Sequence, residues 1–201
     1  MKIENFSYYQ KKHVIFHDAN FYFEDGKINF ILGAKMSGKS IILDQIAAEN
    51  SNFSGFPKAK EIAYLAQENH FRIGLTVREI IGFIRQLSSA RNLALPSTLQ
   101  RILDIKYCDL VFSDRKILLV YLNLLVDKQL YLFDEPEMGL SLTHSKIIFD
   151  WLRTLVAEDK TVILTTNKLD NILETDNVNF IKNAEEILAD NYLKIKSRMA
   201  F

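Results

Sequence analysis

A single cysteine, Cys108, occurs in 201 residues. A lone thiol closes no internal disulfide, and without a thiol partner it makes no cysteine-based zinc site. A reducing, cytoplasmic compartment is therefore expected. Neither sign of charge prevails: 25 basic side chains face 25 acidic ones, so the basic surplus of a nucleic-acid binder is missing. Long apolar runs are missing too. The longest, residues 117–126, contains Asn123 and falls well short of the ~20 residues that span a bilayer. The first residues, MKIENFSYYQKK, carry no apolar stretch, so no signal peptide is expected. No glycine stands between Gly82 and Gly139. Repeats, heptads and low-complexity segments are absent from the pattern. What is present is an ordinary globular mixture, 48% hydrophobic and 25% charged, at the length of one domain, residues 1–201.

Short apolar runs alternate with helical patterns, which predicts an α/β domain. Strands are expected over 2–9, 20–23 and 28–32, the last two separated by a turn at Glu24-Asp25-Gly26. A helix over 40–49 follows, then a buried strand over 62–65. Helices over 77–87 and 98–105, joined by the Ser/Asn/Pro-containing stretch 88–96, read as a small helical subdomain inserted at about 76–115. A long apolar helix over 114–126, a strand over 130–133, a helix over 142–157 and a strand over 161–165 come next. A helix over 169–174 and a strand over 178–182 complete the expected series.

Gly33-Ala34-Lys35-Met36-Ser37-Gly38-Lys39-Ser40 matches G-x-x-x-x-G-K-[ST] at every fixed position, between the run INFIL and the helical SIILDQIAA. Glycine lets backbone approach and wrap a phosphate chain. Successive N–H groups form an anion-binding concavity, and the helix N-terminus adds partial positive charge. Lys39 would reach the β and γ phosphates, and Ser40 would ligate Mg²⁺.

Leu130-Tyr131-Leu132-Phe133-Asp134-Glu135 is an apolar strand ending in two acids. At the C-terminal edge of an α/β sheet, where ligands bind, Asp134 would hold Mg²⁺ through water. Glu135 would orient or deprotonate an attacking water.

These motifs and their order resemble the ATP-binding subunit of ABC transporters over nearly the whole chain. Asp134-Glu135-Pro136, with Gly139-Leu140, is similar to the family's D-E-P-x-x-G-L segment. Ala63-Tyr64-Leu65-Ala66-Gln67-Glu68, then Gly74-Leu75-Thr76-Val77-Arg78-Glu79, is similar to its Q-loop and the entry to its helical subdomain. The resemblance implies a P-loop NTPase of ABC type, with a mixed sheet, an antiparallel N-terminal β subdomain and an inserted helical subdomain. It implies ATP and Mg²⁺ as cofactors and nucleotide contacts along Gly33, Ala34, Lys35, Met36, Ser37, Gly38, Lys39, Ser40 and Ile41. Gln67 would contact Mg²⁺ and the attacking water. Tyr9, with Tyr8 as the other candidate, would stack on adenine.

The departures are specific. Counting back from Asp134 without gaps, the family's L-S-G-G-Q falls on Leu110-Val111-Phe112-Ser113-Asp114; a two-residue deletion moves it to Phe112-Ser113-Asp114-Arg115-Lys116. Both registers lack the glycines, leaving Ser113 and the helix dipole to meet a phosphate. Asn167 stands where the family has a switch histidine; it can hydrogen-bond a γ-phosphate but carries no charge. Ser141 replaces the D-loop aspartate, and Met36 occupies a position that is usually glycine.

The resemblance thus implies an ATPase, slow or asymmetric, paired with a second ATP-binding subunit as homo- or heterodimer. It also implies a separate transmembrane permease, with the chain cytoplasmic, peripheral to the membrane and not inserted in it. Peptide export or immunity is a use that small subunits of this kind serve. Two other classes stand beside it: a non-hydrolysing regulatory ATP-binding module, and a non-transport ABC ATPase acting on nucleic acid, which the neutral charge balance disfavours. His13, His17, His70 and His144 lack metal-ligand spacing and read as structural or surface residues. Arg115-Lys116 is either a phosphate contact or, the safer reading, a solvated helix start; Cys108 reads as a small buried hydrophobe and Trp151 as core. Phe53, Phe56 and Phe71 are either interface anchors or core.

Overall fold

The computed structural model describes residues 1–50, 53–67, 74–87 and 90–199. Glu68, His70 and Phe71, and residues 88–89 of the expected linker, lie outside the described residues. Strands β1 (Lys2–Gln10) and β2 (His13–Tyr22) form a hairpin, joined by β4 (Phe53–Ser54) in an antiparallel sheet ordered β2-β1-β4. Lys11, at φ 56°, makes the hairpin tip. Strands β3 (Ile28–Gly33), β5 (Ile62–Leu65), β6 (Leu130–Asp134), β7 (Thr161–Thr165), β8 (Asn177–Ile181) and β9 (Ile187–Asn191) form a second sheet ordered β5-β6-β7-β3-β8-β9. All its neighbours are parallel except β8 and β9, so the sheet is mixed.

Burial explains the parallel part. INFIL, LYLF and TVILT are apolar nearly throughout because helices cover both faces. One core lies between this sheet, α4 (Phe112–Leu125) and α5 (Leu142–Ala157); Tyr121 and Trp151 join it with ring centroids 6.0 Å apart. The second packs α1 (Lys39–Ala47) and the antiparallel sheet on the opposite face, with Phe6, Phe16, Phe21 and Phe23 at its centre. Half-buried Phe53 and Phe56 pack on this core, 5.2 Å from Phe6 and 5.9 Å from Phe23 respectively. Asn29, Asn177 and Asn179 seam the two sheets together. Asn177 Nδ2 donates to Asn29 Oδ1 at 2.7 Å and to the Tyr22 carbonyl at 2.8 Å, so these buried amides are satisfied.

Several expected elements change. Between β5 and β6 run α2 (Val77–Arg85), capped by a reciprocal Thr76–Glu79 box, and α3 (Ser97–Gln100). The helix expected over 98–105 ends at Gln100, and a bridge from Lys106 to Thr76 turns the chain back. No helix forms over 169–174. There the Asp176 carboxylate, held by Arg153, accepts the Leu173 N–H at 2.8 Å, and a side chain takes the place of a helical acceptor. Strand β2 begins at His13, well before the expected 20–23. β9 and α6 (Tyr192–Met199) were not foreseen. Cys108 is exposed, because it sits in a short turn before α4. Lys116 is buried, 5% exposed, where a solvated charge was expected.

Candidate active site

Four parallel strands place their C-terminal ends side by side. Leu65 of β5 is level with Phe133, Asp134 of β6 with Thr165 of β7, and Thr165 with Ile31 of β3, two residues before Gly33. The phosphate-loop motif therefore lies beside the two acids.

The loop has the shape an anion needs. Gly38, at φ 93°, is the N-cap of α1, and a Cβ there would lie 2.7 Å from Ile15 and Phe16 of β2. A Cβ on Gly33 would lie 2.7 Å from Ser37 Oγ. Neither a capping side chain nor an acidic residue occupies the first turn of α1, so its N–H groups are left for a ligand. Ser37 Oγ is buried without a hydrogen-bond partner among the described residues, the kind of orphan a phosphate oxygen satisfies. Lys39 is buried, and its ammonium donates to the Gly33 and Ala34 carbonyls at 3.0 Å each. Burial lowers its pKa, opposed by Glu135 and Asp134. Ala34, Lys35 and Met36 are exposed, and Ser40 and Ile41 are half-buried. Met36 takes φ 63°, which accounts for glycine as the usual occupant of this position.

The acids are individually fixed. Asp134 is 3% exposed, and its Oδ1 accepts from Thr165 Oγ1 at 2.5 Å. Among the described residues Oδ2 takes no hydrogen bond. Glu135 has φ 46°, left-handed backbone that a non-glycine residue rarely adopts, and its N–H donates to Thr165 Oγ1 at 3.0 Å. Its carboxylate accepts from Asn167 Nδ2 at 2.5 Å on Oε1 and stands 3.5 Å from Gln67 Nε2 on Oε2. Gln67 Nε2 also reaches the Met138 sulfur at 3.1 Å. Gln67, Asp134, Glu135 and Asn167 thus belong to one cluster, with Lys39 electrostatically linked to both acids. One carboxylate and one hydroxyl, Asp134 and Ser40, suit Mg²⁺, which takes oxygen ligands and lets substrate phosphates complete its shell.

Other expected site residues stand apart from this cluster. Tyr9 is 58% exposed on β1; Tyr8 is half-buried, stacked on Phe6 with centroids 6.1 Å apart. Ser113 lies in the first turn of α4. Val111 is the N-cap of that helix, without a side-chain cap. Phe112 is half-exposed and packs on Gly139, where a Cβ would come 2.6 Å from its ring. Ser141 caps α5 by accepting the His144 N–H at 3.3 Å.

Thr165, Met138, Thr166 and Glu137 were not singled out for the site. A threonine ending a strand beside the acidic strand was the one available signal. The others depend on contacts remote in sequence.

No family model matches the chain. Known proteins do. An ABC transporter ATP-binding protein of Pyrococcus furiosus is 26% identical over 216 residues, covering 92% of this chain and 78% of the relative. One of Methanocaldococcus jannaschii is 22% identical over 212 residues, covering 100% and 81%. ABC transporter G family member 1 of Dictyostelium discoideum is 27% identical over 185 residues; there the chain spans only 23% of the relative's length. Among solved structures, an ATP-binding subunit of an ABC transporter superposes with TM-score 0.78 at 16% identity, covering 98% of this chain and 92% of that one. A dimeric ATP-binding cassette bound to ADP and phosphate gives 0.71 at 17% identity, covering 94% and 97%. The likeness is one of fold: a mixed sheet with an antiparallel strand subdomain and helices.

Proposed function

We propose that this chain, which belongs with the ABC-type ATP-binding domains, binds Mg-ATP, hydrolyses it and couples that cycle to a separate membrane permease. The observation that carries the reading is the convergence of Gln67 and Asn167 on the Glu135 carboxylate, beside a phosphate loop with a buried lysine. The backbone from Gly33 to Ile41 would cradle the phosphates, and Lys39 would exchange its two carbonyl partners for phosphate oxygens. Ser40, Asp134 and Gln67 would hold Mg²⁺, which when bound neutralises charge on the β and γ phosphates. Glu135, fixed by Asn167, would orient the water and receive its proton. Tyr9 would stack on the base.

Closure needs a second ATP-binding subunit, whose α4 N-terminus would meet the phosphate loop. The names of the relatives support the transport setting. No helix among the described residues is long and apolar enough to cross a membrane. An apolar groove of about 350 Å³, lined by Leu75, Ile80, Phe83, Ile84 and Leu122, offers that partner a surface.

Phe112 supports a second reading. Its bulk at the start of α4, and Val111 where a hydroxyl would cap, obstruct close approach to a partner's phosphate and favour an ATP-binding module that does not turn over. Mg-ATP titration and turnover separate the two. Lys39→Ala is expected to lose binding, and Glu135→Gln to keep binding while losing turnover. Binding without turnover in the unaltered chain selects the second reading; absence of Mg-ATP binding by folded protein overturns both.

A further inference from the structure

Glu137 is a buried acid with no part in the chemistry described above. It is 2% exposed and follows the acidic strand end by way of Pro136. Burial raises its pKa. Its two oxygens are unequal. Oε1 accepts a hydrogen bond from the Thr166 hydroxyl, whereas Oε2 is buried without a partner among the described residues. Thr166 is itself buried, 1% exposed, and its Oγ1 accepts the Lys168 N–H at 2.9 Å. The hydroxyl therefore closes the turn 166–168, and Glu137 holds the hydroxyl. Asn167 is the middle residue of that turn, and its side chain donates to Glu135 at 2.5 Å. The path Glu137–Thr166–Asn167–Glu135 leaves the acidic segment, crosses to the end of β7 and returns two residues from where it began.

Charge around Glu137 comes from Glu135, which opposes its ionisation, and Lys168, which favours it. Lys168 Nζ is tied to the Leu140 carbonyl at 3.2 Å. From α4, the buried Lys116 feels Glu137 ahead of Asp134 and Glu135. A carboxylate kept in so dry a place, with one oxygen spent on a single hydroxyl, is a poor stabiliser. Its geometric effect is to hold the turn.

The geometry points to Glu137 as a positioning residue: through the Thr166 hydroxyl it sets the attitude of Asn167, and so the direction of the Glu135 carboxylate. This rests on the reading of Glu135 as the group that orients the attacking water. What Glu137 contributes is an acceptor at a fixed place. Glutamine supplies that acceptor, and methionine, of similar shape, does not.

The test uses the full chain, first without nucleotide. The Asn167 side-chain amide resonances, identified by their loss in Asn167→Ala, are followed by NMR in Glu137→Met, Thr166→Val and Glu137→Gln. They are expected to shift in the first two and to hold in Glu137→Gln. In turnover, Glu137→Met and Thr166→Val are expected to lower kcat about tenfold with KM nearly unchanged, and Glu137→Gln to restore it. Resonances unmoved in Glu137→Met and Thr166→Val overturn the proposal, as do shifted resonances with unchanged kcat. Thr166→Val keeps the side-chain shape and decides the matter if Glu137→Met does not fold. If the unaltered chain turns over no ATP, the hydrolytic reading falls, while the amide resonances still decide whether Glu137 positions Asn167.

Discussion

Asn167 Nδ2 donates to Glu135 Oε1 at 2.5 Å, so a neutral amide holds this carboxylate from the position where the family this chain resembles has a switch histidine. An amide holds the carboxylate without adding charge or carrying a proton. Asn167→Ala is therefore expected to lower kcat about 10–100-fold while KM changes little. Steady-state ATPase kinetics check this, and equal losses in both constants count against it.

Met36 stands at φ 63° with its side chain 89% exposed. The side chain buries almost nothing, and the left-handed backbone costs an L-residue about 1–2 kcal/mol. Glycine gives part of that back through greater freedom in the unfolded chain. Met36→Gly is expected to stabilise the protein by about 1 kcal/mol in urea unfolding.

Gly139 combines φ +76° with a close neighbour, since a Cβ there would lie 2.6 Å from Phe112 Cε1. Gly139→Ala is expected to destabilise by about 1–3 kcal/mol. In a Phe112→Ala background the loss shrinks, because the contact is relieved while the backbone strain stays. Denaturant unfolding of the single and double variants measures the difference.

Lys116 gives a dependence on pH. Burial lowers its pKa below the ordinary 10.5, against the pull of Glu137, Asp134 and Glu135. Between its folded-state pKa and 10.5 the unfolded chain holds more protons, so stability rises with pH through that window. Lys116→Met removes a buried charge whose desolvation outweighs the pull of these acids, and is expected to stabilise the protein at pH 7. The gain diminishes as pH climbs toward 10.5. Urea unfolding at pH 7 and near 10 reads both, and a gain that grows with pH contradicts the assignment.

What was legible in the sequence was contiguous. The phosphate loop needs its residues in one stretch, and a two-sided buried strand needs an unbroken apolar run, so β3, β6 and β7 with Asp134 and Glu135 at their edge could be read directly. Strand β2 was harder. It exposes one face, and Asp18 at φ 50°, whose N–H donates to Ser7 Oγ across the hairpin, interrupts its alternation. The apolar spacing over 169–174 suggested a helix; Asp176, fixed by Arg153 from far away in sequence, takes the Leu173 N–H instead. Lys116 follows Arg115 at a helix start, where charges are ordinarily solvated, and only the folded chain sets it facing three carboxylates. Gln67 and Asn167 were readable as motif positions, whereas Thr165 and Thr166, which hold the acids in place, are ordinary β residues until the strands are side by side.

Trp151 is the only tryptophan in the chain, and its ring lies 6.0 Å from that of Tyr121. The two rings sit on different helices, α5 and α4. The molecule thus carries a built-in optical reporter. Tyrosine emission passes to a single acceptor across the seam between the helix that begins at Phe112 and the helix capped by Ser141. A displacement large enough to part the two rings is expected to change the spectrum of the unlabelled protein.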